Sequence, residues 1–148
     1  MKVNVKDLII SIFIPVFLGG LVGLITTTFN DYSYLNKPSF APPGIVFPIV
    51  WTILYALMGI SYYIIGDRKK SYTYEIQLFV NLFWSIIFFV FELRLFAFFW
   101  LLLLIVLVII MIYQFYKIDK RSAYLNIPYL LWIIFAGVLN FSIYLLNR

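Results

Sequence analysis

The sequence predicts an all-α integral membrane protein, a bundle of five transmembrane helices with a structured Pro-rich first loop as a lid. Three observations carry this. Apolar residues make up 65% of the 148 residues, against roughly 45–50% in a soluble domain, so the excess must face lipid. Five long apolar runs, free of charged residues, divide the chain. Tyrosines gather at the ends of those runs (Tyr32, Tyr34, Tyr62, Tyr63, Tyr72, Tyr74, Tyr113, Tyr116 and Tyr124), as aromatic side chains anchored at the headgroup level do.

The first span runs over about 8–29. It is too long for the apolar region of a signal peptide, and Thr26-Thr27-Thr28 offers no small-residue cleavage site. Pro15 lies inside it and predicts a kink. Gly19-Gly20-Leu21-Val22-Gly23 holds a G-x-x-x-G, which allows close backbone approach either within the bundle or in a homodimer. The second span covers about 45–66, the third 76–91, the fourth 95–116 and the fifth 123–146, with Pro128 predicting a second kink. The third is the shortest, so flanking residues are expected to extend it. Continuous apolar runs of this kind exclude a transmembrane barrel, whose strands alternate over about ten residues. An odd span number without an internal repeat argues against inverted-repeat transporters. The whole chain, 1–148, reads as one domain.

Charge sets the expected orientation. With the N-terminus inside, Lys2, Lys6, Arg68, Lys69, Lys70, Lys117, Lys120 and Arg121 lie inside, and Lys37, Arg94 and Arg148 outside. This excess of inner positive charge favours N-terminus in and C-terminus out. The net charge of +5 is thereby explained by topology, and no nucleic-acid partner is expected. With no Cys and no His, disulfides, Cys/His zinc sites, histidine haem ligation and Ser-His or Cys-His catalytic pairs are all excluded. The spans contain no carboxylate or base for proton coupling, which speaks against a proton-driven pump. Glu92 and Arg94, at the turn between spans three and four, read as a surface pair.

Residues 30–44 form the one long connection, Asn30-Asp31-Tyr32-Ser33-Tyr34-Leu35-Asn36-Lys37-Pro38-Ser39-Phe40-Ala41-Pro42-Pro43-Gly44. Three prolines stiffen it, and long ordered loops tend to be functional lids. Helical spacing then picks out three aromatic faces. Phe47, Trp51, Tyr55 and Met58 share one face of span two. Asn81, Trp84, Ser85, Phe88 and Phe89 share one of span three, and Trp132, Phe135, Ala136, Leu139 and Asn140 one of span five. Amides are costly in lipid and are expected to point into the bundle. Such faces build either an aromatic small-molecule cage or plain helix packing with an Asn-mediated hydrogen bond; periodicity alone does not separate the two.

Four blocks of residues, in order, closely resemble the TspO/MBR family of tryptophan-rich sensory proteins and translocator proteins. They are Leu35–Gly44, Val50–Ile60, Asn81-Leu82-Phe83-Trp84-Ser85 with Phe88-Phe89, and Pro128–Trp132 with Phe135-Ala136 and Leu139-Asn140. The resemblance implies a five-helix bundle whose pocket opens toward the first loop. It implies porphyrins as ligands, cholesterol in some members, and synthetic benzodiazepine-type drugs. Carried over by position, the pocket would take Tyr32, Pro42 and Pro43 from the lid, Trp51 and Tyr55 from span two, Asn81, Ser85 and Phe89 from span three, and Trp132, Ala136 and Asn140 from span five. Helical spacing adds Phe47, Phe88 and Phe135. Some bacterial members are reported to degrade protoporphyrin in light, and the tryptophans matching Trp51 and Trp132 are implicated; no cofactor is required, since porphyrin enters as ligand or substrate.

The chain departs from the family pattern at Phe40 and Ile45, where Trp is usual. Phe141 and Leu145 replace the Tyr and Arg of the sterol motif, and Leu139, Tyr144 and Arg148 match a loose cholesterol pattern out of register with it. The expected function is therefore a membrane-embedded binding or sensory protein for porphyrin or another flat apolar small molecule, with photo-oxidative degradation or facilitated porphyrin or sterol transport as alternatives. Membrane lipid is the other expected partner, and a bacterial cytoplasmic membrane the expected location.

Overall fold

The computed structural model describes residues 2–29 and 32–148; the start of the expected lid, Asn30 and Asp31, lies outside them. Five helical segments are long and apolar enough to cross a membrane: Val5–Thr27, Val46–Arg68, Thr73–Val90, Arg94–Ile118 and Lys120–Asn147. No strand occurs among the described residues. The chain is a multi-pass integral membrane protein.

Helix α1 (Val5–Phe29) starts at Asn4, whose Oδ1 accepts from the Asp7 amide at 3.3 Å, satisfying one of the amides that a helix start leaves bare. Pro15 sits inside it, and the helix continues past it. After the lid, α2 (Val46–Ile65) ends at Gly66, whose φ of 54° turns the chain into a short 3-10 segment, Gly66–Arg68. Helix α3 (Thr73–Ser85) does not stop where its α-helical bonding stops. It widens into a π-helical turn, Ile86–Val90, and the Phe91 amide reaches back to the Ile86 carbonyl at 3.0 Å. The third span thus extends N-terminally to Thr73, with this wide turn as its other end. Glu92, with φ 56°, reverses the chain in a three-residue connection to α4 (Arg94–Ile118).

The fifth span is two helices. Asp119 caps α5 (Lys120–Leu125) by accepting from the Arg121 amide at 3.0 Å. Asn126 separates it from α6 (Ile127–Asn147). The expected kink at Pro128 is displaced: Pro128 occupies the first turn of α6, where its missing N–H costs nothing, and the break falls at Asn126.

Around the bundle the spans run in the order one, two, five, four, three. Glycines set the closest approach. A Cβ on Gly59 would lie 2.3 Å from the Ser11 carbonyl oxygen, and one on Gly19 would lie 2.2 Å from Tyr55 Cε2. The α1–α2 contact therefore needs hydrogen at both positions. The core between the spans is apolar, with Met58, Val108, Met111 and Ile133 fully buried. Outward residues are as apolar as the core; Leu24 is 69% exposed. With lipid as apolar as leucine, packing and interhelical hydrogen bonds hold the bundle rather than hydrophobic burial.

Candidate functional site

The cavity lies in the lid half of the bundle, between α1, α2, the end of α3 and α6, with a volume of about 650 Å³. Each wall follows from a local feature. On α2, Phe47, Trp51 and Tyr55 recur every four residues and turn one aromatic face inward. The π turn does the same at the end of α3. There Trp84 and Ser85, and Phe88 and Phe89 within the turn, line the cavity. Such turns recur at functional sites. Trp84 stacks on Phe88 at 5.3 Å, and Phe88 meets Phe89 edge-on at 4.8 Å. Helix α6 supplies Trp132, Ala136, Leu139, Asn140 and Ile143.

The aromatic rings form one connected set. Trp51 stacks on Tyr55 at 5.5 Å and meets Trp132 edge-on at 6.4 Å. Phe47 meets Trp132 at 6.0 Å and Tyr32 of the lid at 4.9 Å. Edge and offset arrangements suit the ring quadrupoles and fix the rings against each other. Among the described residues no charged side chain lines the cavity.

The fourth wall is α1, which the sequence reading did not assign to the site. Val16, Gly19, Gly20, Gly23, Thr26 and Thr27 line it. These positions fall at i, i+3, i+4, i+7, i+10 and i+11, one helical face of small side chains. That face was visible in the sequence, where the G-x-x-x-G was read for packing or dimerisation. Only Gly19 serves close packing; nothing lies within 4 Å of a Cβ built on Gly20 or Gly23.

Polar groups separate into wall and lining. Asn81 was expected to meet the ligand, and it does not line the cavity. Its Oδ1 accepts from Tyr55 O–H at 2.5 Å, and its Nδ2 donates to Tyr129 Oη at 2.7 Å. Tyr129 in turn donates to Gln77 Oε1 at 2.8 Å. Asn81, Tyr129 and Gln77 are all buried, so this chain of bonds ties α2, α3 and α6 together behind the aromatic floor. Asn140 does line the cavity, but both ends of its amide are engaged. Oδ1 accepts from Trp84 Nε1 at 3.0 Å, and Nδ2 donates to the Arg94 carbonyl at 2.9 Å. Trp132 differs: its Nε1 is buried and has no acceptor among the described residues. Arg94 places its guanidinium over the Phe88 ring, 5.4 Å from the centroid.

The lid is held by its own hydrogen bonds and by α6. Tyr32 O–H donates to the Pro42 carbonyl at 3.1 Å, tying its two ends. Lys37 Nζ curls back on the carbonyls of Tyr32, Ser33 and Leu35 at 3.2–3.5 Å, so this ammonium serves the loop itself. Asn36 and Asn147 exchange a pair of bonds: the Asn36 amide donates to Asn147 Oδ1 at 3.0 Å, and Asn147 Nδ2 donates to the Asn36 carbonyl at 2.8 Å. The lid is thereby clasped to the end of α6, a contact that no sequence pattern announced. Tyr32 lines the cavity, whereas Pro42 and Pro43 do not. Phe135 also stands outside it, packed against Trp132 at 5.4 Å and Phe40 at 6.2 Å.

Residues 11–146 match the sequence model of the TspO/MBR family. The chain belongs to that family. A tryptophan-rich protein TspO from Archaeoglobus fulgidus is 37% identical over 97% of this chain and 99% of its own length. Protein CrtK of Rhodobacter capsulatus is 32% identical, covering 91% of this chain and 89% of its own. The translocator protein of Bos taurus is 29% identical, covering 88% and 85%. The TspO/MBR match spans the lid, all four cavity walls and the Asn81–Tyr129 network.

Proposed function

We propose that this TspO/MBR protein is a membrane-embedded binding and sensory protein for porphyrins and related flat apolar molecules, held in the cavity between α1, α2, α3 and α6. The observation that carries the reading is the cavity's make-up. At about 650 Å³ it falls within the range of small-molecule sites, roughly 300–1,000 Å³. Among the described residues its walls are aromatic and uncharged, and the buried Trp132 indole N–H there has no acceptor. A flat macrocycle would replace edge contacts between rings with face contacts, each worth about 0.5–1.5 kcal/mol beyond area burial. The names of the relatives, a sensory protein and a translocator protein, agree with a ligand-handling role. Excess positive charge on the loops away from the lid supports a lid facing outward and an N-terminus inside.

A second reading, light-dependent degradation of the bound porphyrin, is favoured by one observation. Trp51 and Trp132 both line the cavity, 6.4 Å apart, where oxidisable indoles would lie beside an excited ligand. One experiment separates the two. Protein in lipid nanodiscs is titrated with protoporphyrin IX in the dark, following tryptophan fluorescence, with Trp51→Phe and Trp132→Phe in parallel. Saturable quenching that weakens in both variants supports binding in the cavity. Loss of the porphyrin Soret band under light in the wild type, absent from the variants, raises the enzyme reading above it. An absence of saturable quenching overturns both.

A further inference from the structure

The basic residues at the end of the bundle away from the lid are of two kinds. Arg68 and Arg121 share the Asp119 carboxylate, at 3.7 and 2.9 Å, and Lys69 pairs with Glu75. Among the described residues Lys117 and Lys120 pair with no carboxylate, although Asp119 lies between them in the chain; its oxygens are turned to the two arginines. Each ammonium sits instead over a tyrosine ring. Lys117 Nζ is 4.5 Å from the centroid of Tyr113, and Lys120 Nζ is 5.4 Å from that of Tyr116. Tyr113 and Tyr116 stand three residues apart on α4, as neighbours on its surface, so the two ammoniums are brought to one patch. Tyr124 of α5 closes the patch, its ring 6.2 Å from that of Tyr116. All five side chains are exposed, and none of the three phenol hydroxyls has a partner among the described residues.

We propose that Tyr113, Tyr116, Lys117, Lys120 and Tyr124 form a docking site for the headgroup of an anionic phospholipid in the leaflet away from the lid. Two ammoniums held side by side repel each other, and three free phenols beside them lack acceptors. A phosphate relieves both, because its oxygens accept charge-assisted hydrogen bonds from ammoniums and hydroxyls together. The patch lies where tyrosines anchor a span, at the depth of the headgroups. The surface next to it favours a lipid over a free phosphate. Val106, Ile109 and Ile110 precede Tyr113 on the same side of α4 and are exposed, giving an acyl chain an apolar track that leads from the patch toward the middle of the membrane. A soluble anion would have no use for that track. This site is independent of what the cavity holds.

The test is lipid retention. The protein is placed in nanodiscs of equal parts phosphatidylglycerol and phosphatidylcholine, released in the gas phase, and the lipid that stays bound is identified by native mass spectrometry. Attraction of about fivefold per lysine at a charged membrane surface gives a preference for phosphatidylglycerol of about thirtyfold in the wild type. Lys117→Gln and Lys120→Gln should each cut it about fivefold, and the double variant should abolish it. Lys6→Gln and Lys70→Gln remove exposed lysines at the same end but outside the patch, and should leave the preference within about twofold. All four side chains are exposed, and thermal midpoints check that each variant folds. Equal retention of the two lipids by the wild type overturns the proposal. So does a fall in Lys6→Gln and Lys70→Gln as large as in the patch variants, since overall positive charge would then select the lipid. Inorganic phosphate added in competition should leave phosphatidylglycerol bound; displacement by it would assign the patch to a soluble anion and overturn the lipid.

Discussion

Replacing Asn81 by leucine tests whether this amide is part of the wall or part of the binding surface. Leucine keeps the volume and removes both hydrogen-bonding ends. Tyr55 O–H, in a side chain only 8% exposed, then loses its acceptor at 2.5 Å. Tyr129 loses the Asn81 donor but keeps Gln77 as its own acceptor at 2.8 Å, so one buried donor is orphaned. An orphaned buried donor costs about 1–3 kcal/mol. The interaction itself, isolated in a double-mutant cycle with Tyr55→Phe, should be smaller. Interhelical hydrogen bonds in membrane proteins average about 0.6 kcal/mol and reach about 1.7. The assay is unfolding in mixed micelles as the denaturing detergent fraction rises, followed by helical circular dichroism for the wild type, both single variants and the double variant. Asn81→Leu should lose about 1–3 kcal/mol, the double variant should recover part of that loss, and porphyrin affinity should fall only as far as the floor loosens. If Asn81→Leu unfolds with the wild type, shows no coupling to Tyr55, and yet abolishes porphyrin binding, the amide contacts ligand and its place behind the wall is refuted.

Four further outcomes follow from the same structure. Gly59→Ala should destabilise by about 1–3 kcal/mol, because its new Cβ meets the Ser11 backbone at 2.3 Å; Gly20→Ala, in open space, should be neutral or stabilise by up to about 1 kcal/mol through helix propensity. Thermal midpoints of the two variants check the contrast. Asn147→Ala removes the clasp on Asn36 and should raise amide hydrogen exchange across 36–45 while leaving exchange in α4 unchanged. On the surface away from the lid, the Arg121 guanidinium, hydrogen-bonded to Asp119, with Arg68 adding its charge, holds the Asp119 carboxyl down to about 2. A depressed carboxyl stabilises the fold above its unfolded value of about 3.9, and this contribution is lost as pH falls from about 4 toward 2. Unfolding midpoints measured through that window should therefore drop with acid in the wild type and drop less in Asp119→Asn.

The spans and the three aromatic faces, on α2, on α3 with its π turn, and on α6, were legible because hydropathy and the 3.6-residue period report directly which residues face a neighbour. What a neighbour does with them was not. Asn81 and Asn140 lie on inward faces as expected, but whether an inward amide meets a ligand or another helix depends on the rotation of the partner. Here the Asn81 amide donates instead to Tyr129 Oη at 2.7 Å, 48 residues away on α6. The π turn at Ile86–Val90 has no signature in the residue pattern. Helix α1 is apolar all round, so hydropathy gave it no direction; its small-residue face from Val16 to Thr27 was the available signal. Likewise the Asn36–Asn147 clasp joins positions 111 residues apart, beyond any local rule.

The central claim is that this cavity holds a flat apolar ligand. Ala136 stands on its α6 wall, 6% exposed, and phenylalanine there would fill the space between Trp132 and Asn140. The most direct measurement is the protoporphyrin IX affinity of Ala136→Phe beside the wild type in nanodiscs, read from the Soret band, with the thermal midpoint of each as a check on folding. The account predicts a folded variant that has lost saturable binding. A folded variant that binds as tightly as the wild type would contradict it and place the ligand elsewhere on the protein.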